Sequence, residues 1–334
     1  MNETTEPSAN SPDTRPPNGV PPNGVPPNGV PPDGASPDRT DENRLGVVFA
    51  LAAFGLWSLN PLYFKLLAHI SPLEVITHRA FWSVPFGFAI VLYMGRTSDM
   101  ARAFKSPKIL LRLMMTGLII SGNWVLFVWA VAVGLTLEAS LGYFINPLLN
   151  VVIGFMLLGE RLTRAQTIAV VLAGVGVVVQ TIGAGVFPWV AIVLAVLFAA
   201  YGYFRKTIDV GPVQGFVVET TVLLPFSIGY ASWLALHGTM QFTSNLSDTF
   251  LLVMCGPVTA IPLMLFASGA KRLRYSTIGI LQYVAPTGMF VIAVYVFNEP
   301  VGFWKLVSFG FIWVALAIYS FDAIRQERKL RKPL

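Results

Sequence analysis

Side chains able to do chemistry are few in this chain, and their spacing makes each one informative. Tyr143, Asn146 and Asn150 recur at i, i+3 and i+7, so a helix through them carries all three on one face. Asn123-Trp124 precede them, Pro147 stands beside Asn146, and Gln282-Tyr283 with Pro286 repeat the theme near the C-terminus. Amides, phenols and an indole in an apolar background suit reversible binding of an amphipathic or amino-acid-like solute. The competing reading of the same residues is interhelical hydrogen bonding, worth about 0.6–2 kcal/mol per bond. Glu74 and His78 are spaced i, i+4 and share a helix face. His78, with an ordinary pKa of about 6.5, is a candidate proton carrier; the alternative is a Glu74–His78 pair at the outer headgroup level. Arg79 and Glu219 are candidate gate charges at opposite depths, against the alternative of structural ion pairs. The candidate substrate-binding set is therefore Asn123, Trp124, Tyr143, Asn146, Asn150, Gln282 and Tyr283, and the candidate gating or proton-coupling set is His78, Arg79 and Glu219.

Enzyme chemistry has no foothold in this inventory. The chain carries no His-Glu-x-x-His, no Gly-x-Ser-x-Gly, no Cys/His metal cluster and no P-loop. No catalytic residue, metal or cofactor is expected. The single cysteine, Cys255, lies in the apolar run Leu251-Leu252-Val253-Met254-Cys255 and reads as core filling.

Composition identifies the elements that must position these side chains. Hydrophobic residues make up 54% of the 334 and charged residues 12%, against roughly 25% charged in a soluble domain. Residues 45–321 hold only 15 Lys/Arg and 8 Asp/Glu. That excludes a soluble enzyme, a secreted disulfide scaffold and, despite the net charge of +6, a nucleic-acid partner. A bilayer core takes about 20 apolar residues per helix. Ten stretches qualify: 46–66, 72–94, 109–131, 137–158, 164–182, 188–204, 213–235, 249–269, 276–297 and 303–321. They are too long and too evenly apolar for barrel strands, so the fold class is an all-α polytopic membrane protein.

Placing the N-terminus inside puts sixteen Lys/Arg on inner connections and the C-terminal tail, against Lys65 and Lys305 outside. Both termini are then cytoplasmic. The halves also resemble each other at a shift of 139–140 residues: Tyr63-Phe64-Lys65 with Tyr203-Phe204-Arg205, Pro85-Phe86 with Pro225-Phe226, Leu126-Phe127 with Leu265-Phe266, Pro147 with Pro286, and Glu160 with Glu299. Five helices per half is odd, so the second half is inverted. The expectation is ten transmembrane helices as two inverted five-helix repeats, 45–183 and 187–321. These are flanked by a Pro-rich tail, 1–44, with repeated Pro-Pro-Asn-Gly-Val, and a basic tail, 322–334. Inverted repeats with Pro-interrupted helices at matching positions mark secondary transporters with a midplane site. A channel or a non-transporting membrane sensor is the alternative. The partners expected are membrane lipid, a small-molecule solute and, through His78, a proton as coupling ion. The small residues Ala173-Gly174-Val175-Gly176 suit close helix packing, with a homodimer contact as the alternative.

Several runs also resemble a known family. Ser121-Gly122-Asn123-Trp124-Val125-Leu126-Phe127-Val128-Trp129-Ala130 is similar to a signature of the RarD permeases. So are Glu138-Ala139-Ser140-Leu141-Gly142-Tyr143-Phe144-Ile145-Asn146-Pro147-Leu148, Gly159-Glu160-Arg161, Thr77-His78-Arg79 and Phe311-Ile312-Trp313-Val314-Ala315-Leu316-Ala317-Ile318. These "chloramphenicol-sensitive" permeases are part of the EamA group of the drug/metabolite transporter superfamily. The resemblance covers residues 44–328 and leaves out the Pro-rich tail. It implies ten helices, two EamA repeats and a permease of the bacterial inner membrane, and no particular substrate.

Overall fold

The computed structural model describes residues 37–93, 95, 97–158, 161–270, 272–273 and 275–330. The Pro-Pro-Asn-Gly-Val repeats, Arg96, Gly159-Glu160, Lys271, Arg274, Arg331 and Lys332 lie outside the described residues. The chain divides into a unit Met1–Thr40 and a unit Asp41–Leu334. Of the first unit only 37–40 are described, as helix; everything below concerns the second.

The described residues are helical almost throughout. In chain order the helices are α1 (Pro37–Ser58), α2 (Asn60–Leu66), α3 (Pro72–Tyr93), the short α4 (Thr97–Lys105), α5 (Pro107–Ala132), α6 (Thr136–Leu158) and α7 (Arg164–Ala184). They continue with α8 (Trp189–Lys206), α9 (Pro212–Leu236), α10 (Leu246–Ala270), α11 (Tyr275–Leu281), α12 (Val284–Val291), a π turn (Ile292–Val296) and α13 (Phe303–Leu330). Pro stands in the first turn of α5 and α9, where its missing N–H costs nothing. Thr163 and Gln166 close a capping box that starts α7.

Among the described residues nine helices are long and apolar enough to cross a membrane. The sixth predicted span is the exception. It forms α8, but its apolar part, Trp189–Arg205, has 17 residues or fewer, at most about 26 Å at 1.5 Å each, short of a core of about 30 Å. The ninth predicted span, drawn from the sequence as continuous over 276–297, is broken. A turn at 282–283 separates α11 from α12, and a π turn follows α12. The Pro286 ring opposes the carbonyl of Gln282, four residues back, which accounts for the break. Pro147, Pro225, Pro257 and Pro262 lie inside helices that run on. Large apolar side chains, among them Leu236 (86% exposed) and Ile182 (78%), cover the outer surface. Water would not tolerate so much exposed apolar area, and lipid does.

Glycines set the closest helix contacts. A Cβ at Gly142 of α6 would lie 2.6 Å from the Ala191 carbonyl oxygen of α8, and one at Gly256 of α10 would lie 2.5 Å from the Trp82 carbonyl oxygen of α3. Gly176 and Gly183 of α7 meet Ser308 and the Trp304 ring of α13. Ala173 and Gly176 of the small-residue stripe thus serve packing within the chain, while Gly174 faces open space. The other main pairings are α3 with α9, and α5 with α8 and α9. Helix α1 meets α10 at Gly46, Ala50 and Gly269, and meets α12 where Ser58 faces Gly288.

Candidate functional site

Arg79 is the seventh residue beyond Pro72 on α3, about 10 Å along the helix, and it is only 6% exposed. Its guanidinium lies 3.9 Å from the Trp124 ring centroid and 5.6 Å from that of Phe64. Tyr63, Tyr143 and Cys255 are within electrostatic range. Among the described residues it has no hydrogen-bond acceptor and no carboxylate; its Nε is buried and unpartnered. Burying a charge costs several kcal/mol, and a desolvated cation–π contact returns about 2. The arrangement is therefore costly in the unliganded protein, and ionisable groups of this kind inside a membrane mark functional sites.

The polar groups around Arg79 are largely engaged with each other. Asn123 Nδ2 donates to the Leu194 carbonyl of α8 at 2.9 Å, and its Oδ1 accepts from the Tyr143 hydroxyl at 3.2 Å. The Tyr143 ring packs on Phe127 and Phe198, each at 5.9 Å. The Tyr63 hydroxyl donates to the Leu251 carbonyl, with Cys255 Sγ at 3.3 Å. Cys255 itself is core, 1% exposed. Asn146, one turn beyond Tyr143, is buried with an unpartnered Oδ1. Asn150, a further turn on, is exposed. The expected face of α6 therefore runs from half-buried to buried to open.

Glu219 on α9 belongs to a different cluster. It is 2% exposed. It accepts from Thr116 Oγ1 at 2.7 Å and from the Tyr201 hydroxyl at 3.3 Å, and pairs with Arg205 Nε at 3.5 Å. Arg205 also donates to the carbonyls of Val210 (3.0 Å) and Gly211 (2.7 Å), and its guanidinium lies where a Cβ of Gly215 would be. Trp124 and Thr116 are eight residues apart on α5, so this cluster sits about 12 Å along that helix from the Arg79 contact. The two charges stand at separate levels.

Other sequence candidates fall outside both clusters. Glu74 does not pair with His78. It accepts from the backbone N–H groups of Gln241 (2.7 Å) and Phe242 (3.0 Å), holding the α9–α10 connection onto α3. His78 stacks on the Phe242 ring at 4.5 Å, and neither ring nitrogen has a partner among the described residues. A carboxylate that can satisfy two orphan amides outcompetes a single contact to an imidazole. Tyr283 stacks on Phe144 at 6.4 Å and lines, with Thr287, Trp313 and Ser320, an open groove of about 350 Å³ beside α13. Gln282 is half-buried. Glu299 accepts from the N–H groups of Thr136 and Leu137, both at 2.8 Å, and so caps the start of α6. Sequence reasoning missed Phe64, Tyr201, Thr116 and Arg205 as site residues. Arg205 was readable only as a charge at a span end, although its side chain is 12% exposed.

Known proteins supply the remaining context. Residues 44–182 match the EamA-like transporter family. A Salmonella typhi protein named Protein RarD is 45% identical over 289 residues, spanning 86% of this chain and 98% of that one. Its namesake from Escherichia coli (strain K12) is 43% identical over 292 residues, spanning 87% and 99%. A solved crystal structure of a protein 22% identical in sequence superposes with a TM-score of 0.54, over 84% of this chain and 98% of that one, a likeness of fold.

Proposed function

The chain belongs to the RarD group of the EamA-like transporter family, and from that premise we propose how its helices carry a solute. It is a secondary transporter of a small organic solute and a multi-pass protein of the bacterial inner membrane. In our reading ten helices, with α8 as the sixth span, form two inverted repeats, 45–183 and 187–321, that alternate in opening a common site to either side. The observation that carries this reading is an exchange of contacts. If span n is matched to span n+5, the α3–α10 contact becomes α9–α5, α5–α8 becomes α10–α1, and α6–α8 becomes α12 against α1. The α3–α9 and α7–α13 contacts each map onto themselves.

The substrate site of this proposal is the Arg79–Trp124 contact with Asn123, Tyr143 and Asn146. Gln282 and Tyr283, the latter lining its own groove, form its counterpart in the second half, and Asn150 forms its open end. His78 and Glu219 are the groups through which a proton would couple. Both termini are cytoplasmic in this topology. A homodimer would use the open face of α7, where nothing lies within 4 Å of a Cβ at Gly174.

Counterflow in proteoliposomes tests the mechanism: unlabelled solute trapped inside, leaving down its own gradient, should drive transient accumulation of the labelled copy supplied outside. A channel gives no counterflow, and a sensor gives no flux. Cysteines placed singly in a Cys255→Ala background test the topology. Labelling of 96–108 in intact cells by an impermeant thiol reagent overturns the orientation.

A further inference from the structure

We propose that Arg79 is the anion-binding group of the transport site. The solute then carries a carboxylate or phosphate joined to a flat or apolar body that lies against Trp124. That the anion is transported rests on the alternating-access reading; that it binds does not.

Of the described buried carboxylates, Glu138 keeps an unpartnered Oε2 at the start of α6, beside Lys305 and Glu299, and the others have partners of their own. Glu74 accepts two backbone N–H groups of the α9–α10 connection. Glu219 is held by Thr116, Tyr201 and Arg205. Glu299 caps α6, and Asp248 accepts from His69 and Asn245. Yet Arg79 is 6% exposed, with a buried Nε and no acceptor among the described residues. A guanidinium is always charged and presents its donors in a planar fork that matches an oxyanion in bidentate fashion. Trp124 covers one face at 3.9 Å, which leaves the edges of the fork for that oxyanion.

The surroundings narrow the solute further. Phe64 lies 5.6 Å from the guanidinium, and Phe216 lies 6.4 Å from Trp124 across the bundle. Aromatic faces of this kind take a ring or an apolar chain attached to the anion. The Tyr63 and Tyr143 hydroxyl protons are given to Leu251 and Asn123, so neither phenol competes for the oxyanion. Lys65 is turned to the Val131 and Ala132 carbonyls, and Arg205 to Glu219. No described carboxylate is left beside Arg79 to receive an ammonium. An organic anion therefore fits better than a zwitterion.

Thermal unfolding of the purified full chain, with chosen probes, tests this. Phenylacetate or phenyl phosphate should raise the midpoint, at concentrations at least tenfold lower than acetate or inorganic phosphate require. The neutral isostere phenylacetamide should leave it unmoved. Arg79→Gln should weaken the anion effect at least tenfold while the unliganded variant unfolds at the same or a higher temperature, and Arg79→Lys should keep part of the effect. Stabilisation by phenylacetate over phenyl phosphate, or the reverse, identifies which oxyanion the fork accepts. The proposal is overturned if none of these anions stabilises, if phenylacetamide matches phenylacetate, if phenylalanine outperforms phenylacetate, or if unliganded Arg79→Gln and Arg79→Lys both unfold earlier. Counterflow separates the two readings. Anion binding through Arg79 without exchange of any anion leaves this inference standing and removes the transporter mechanism. Exchange of an uncharged solute equally by the parent and Arg79→Gln does the reverse.

Discussion

Arg79 and Glu219 lie 140 residues apart in sequence, on two helices, α3 and α9, that pack against each other, and each is almost wholly buried. Their surroundings are opposite. Glu219 has two hydroxyl donors and a guanidinium, and that guanidinium has two backbone carbonyls of its own. Arg79 has the faces of Trp124 and Phe64 and, among the described residues, no oxygen acceptor. A satisfied buried charge is part of the structure, and removing one member leaves the rest stranded. An unsatisfied one weakens the empty protein and has its use when something else arrives.

Stability measurements on single variants should divide these two charges most widely. Glu219→Leu strands Arg205, together with the hydroxyls of Thr116 and Tyr201, and should destabilise by about 3–5 kcal/mol in detergent unfolding. Arg79→Leu should be neutral or stabilising on the same measurement and should abolish counterflow. Equal losses from the two variants would break the distinction. The double variant Glu219→Leu, Arg205→Met should recover most of the first loss, because an apolar pair of similar volume replaces the ion pair. Failure to recover would place the cost in the two hydroxyls instead.

Smaller effects sharpen the boundary between glue and site. Asn123→Ala removes the partner of the Leu194 carbonyl and of the Tyr143 hydroxyl and should cost about 1–3 kcal/mol; Tyr143→Phe should cost about 1. Asn146→Ala should leave unfolding unchanged, since its Oδ1 has no partner to lose, while transport per folded molecule falls. Deleting residues 2–40 should change neither insertion nor flux, because the Pro-rich repeat has no apolar face to bury. Loss of folded protein on that deletion, judged by size-exclusion profile, would assign the tail a docking role.

Span positions were readable because a bilayer imposes length and polarity on each helix separately, so the signal for each lies within one window. The interruption at 282–283 was less readable. Pro286 marks it, but Pro147, Pro257 and Pro262 carry the same signal in helices that continue, and the sequence alone does not sort them. Partners were the least readable. The expectation of Glu74 beside His78 came from i, i+4 spacing, and it failed because the amides of Gln241 and Phe242 approach from 167 and 168 residues away. Arg79 over Trp124 and Glu219 with Arg205 are also tertiary contacts, set by which helix backbones can approach each other. The separation in depth of Arg79 and Glu219 could be anticipated by counting residues from the span ends, and their opposite chemical surroundings could not.

Helices α7 and α13 are meshed along their length. At Gly176 a Cβ would lie 3.1 Å from the Ser308 carbonyl oxygen, and at Gly183 the Trp304 ring occupies the space of a side chain. Two rods meshed this closely cannot slip lengthwise by a fraction of a turn without collision. In the two-repeat reading proposed above these are the last helices of the two halves, so any lengthwise shift of one half past the other would have to unmesh them first.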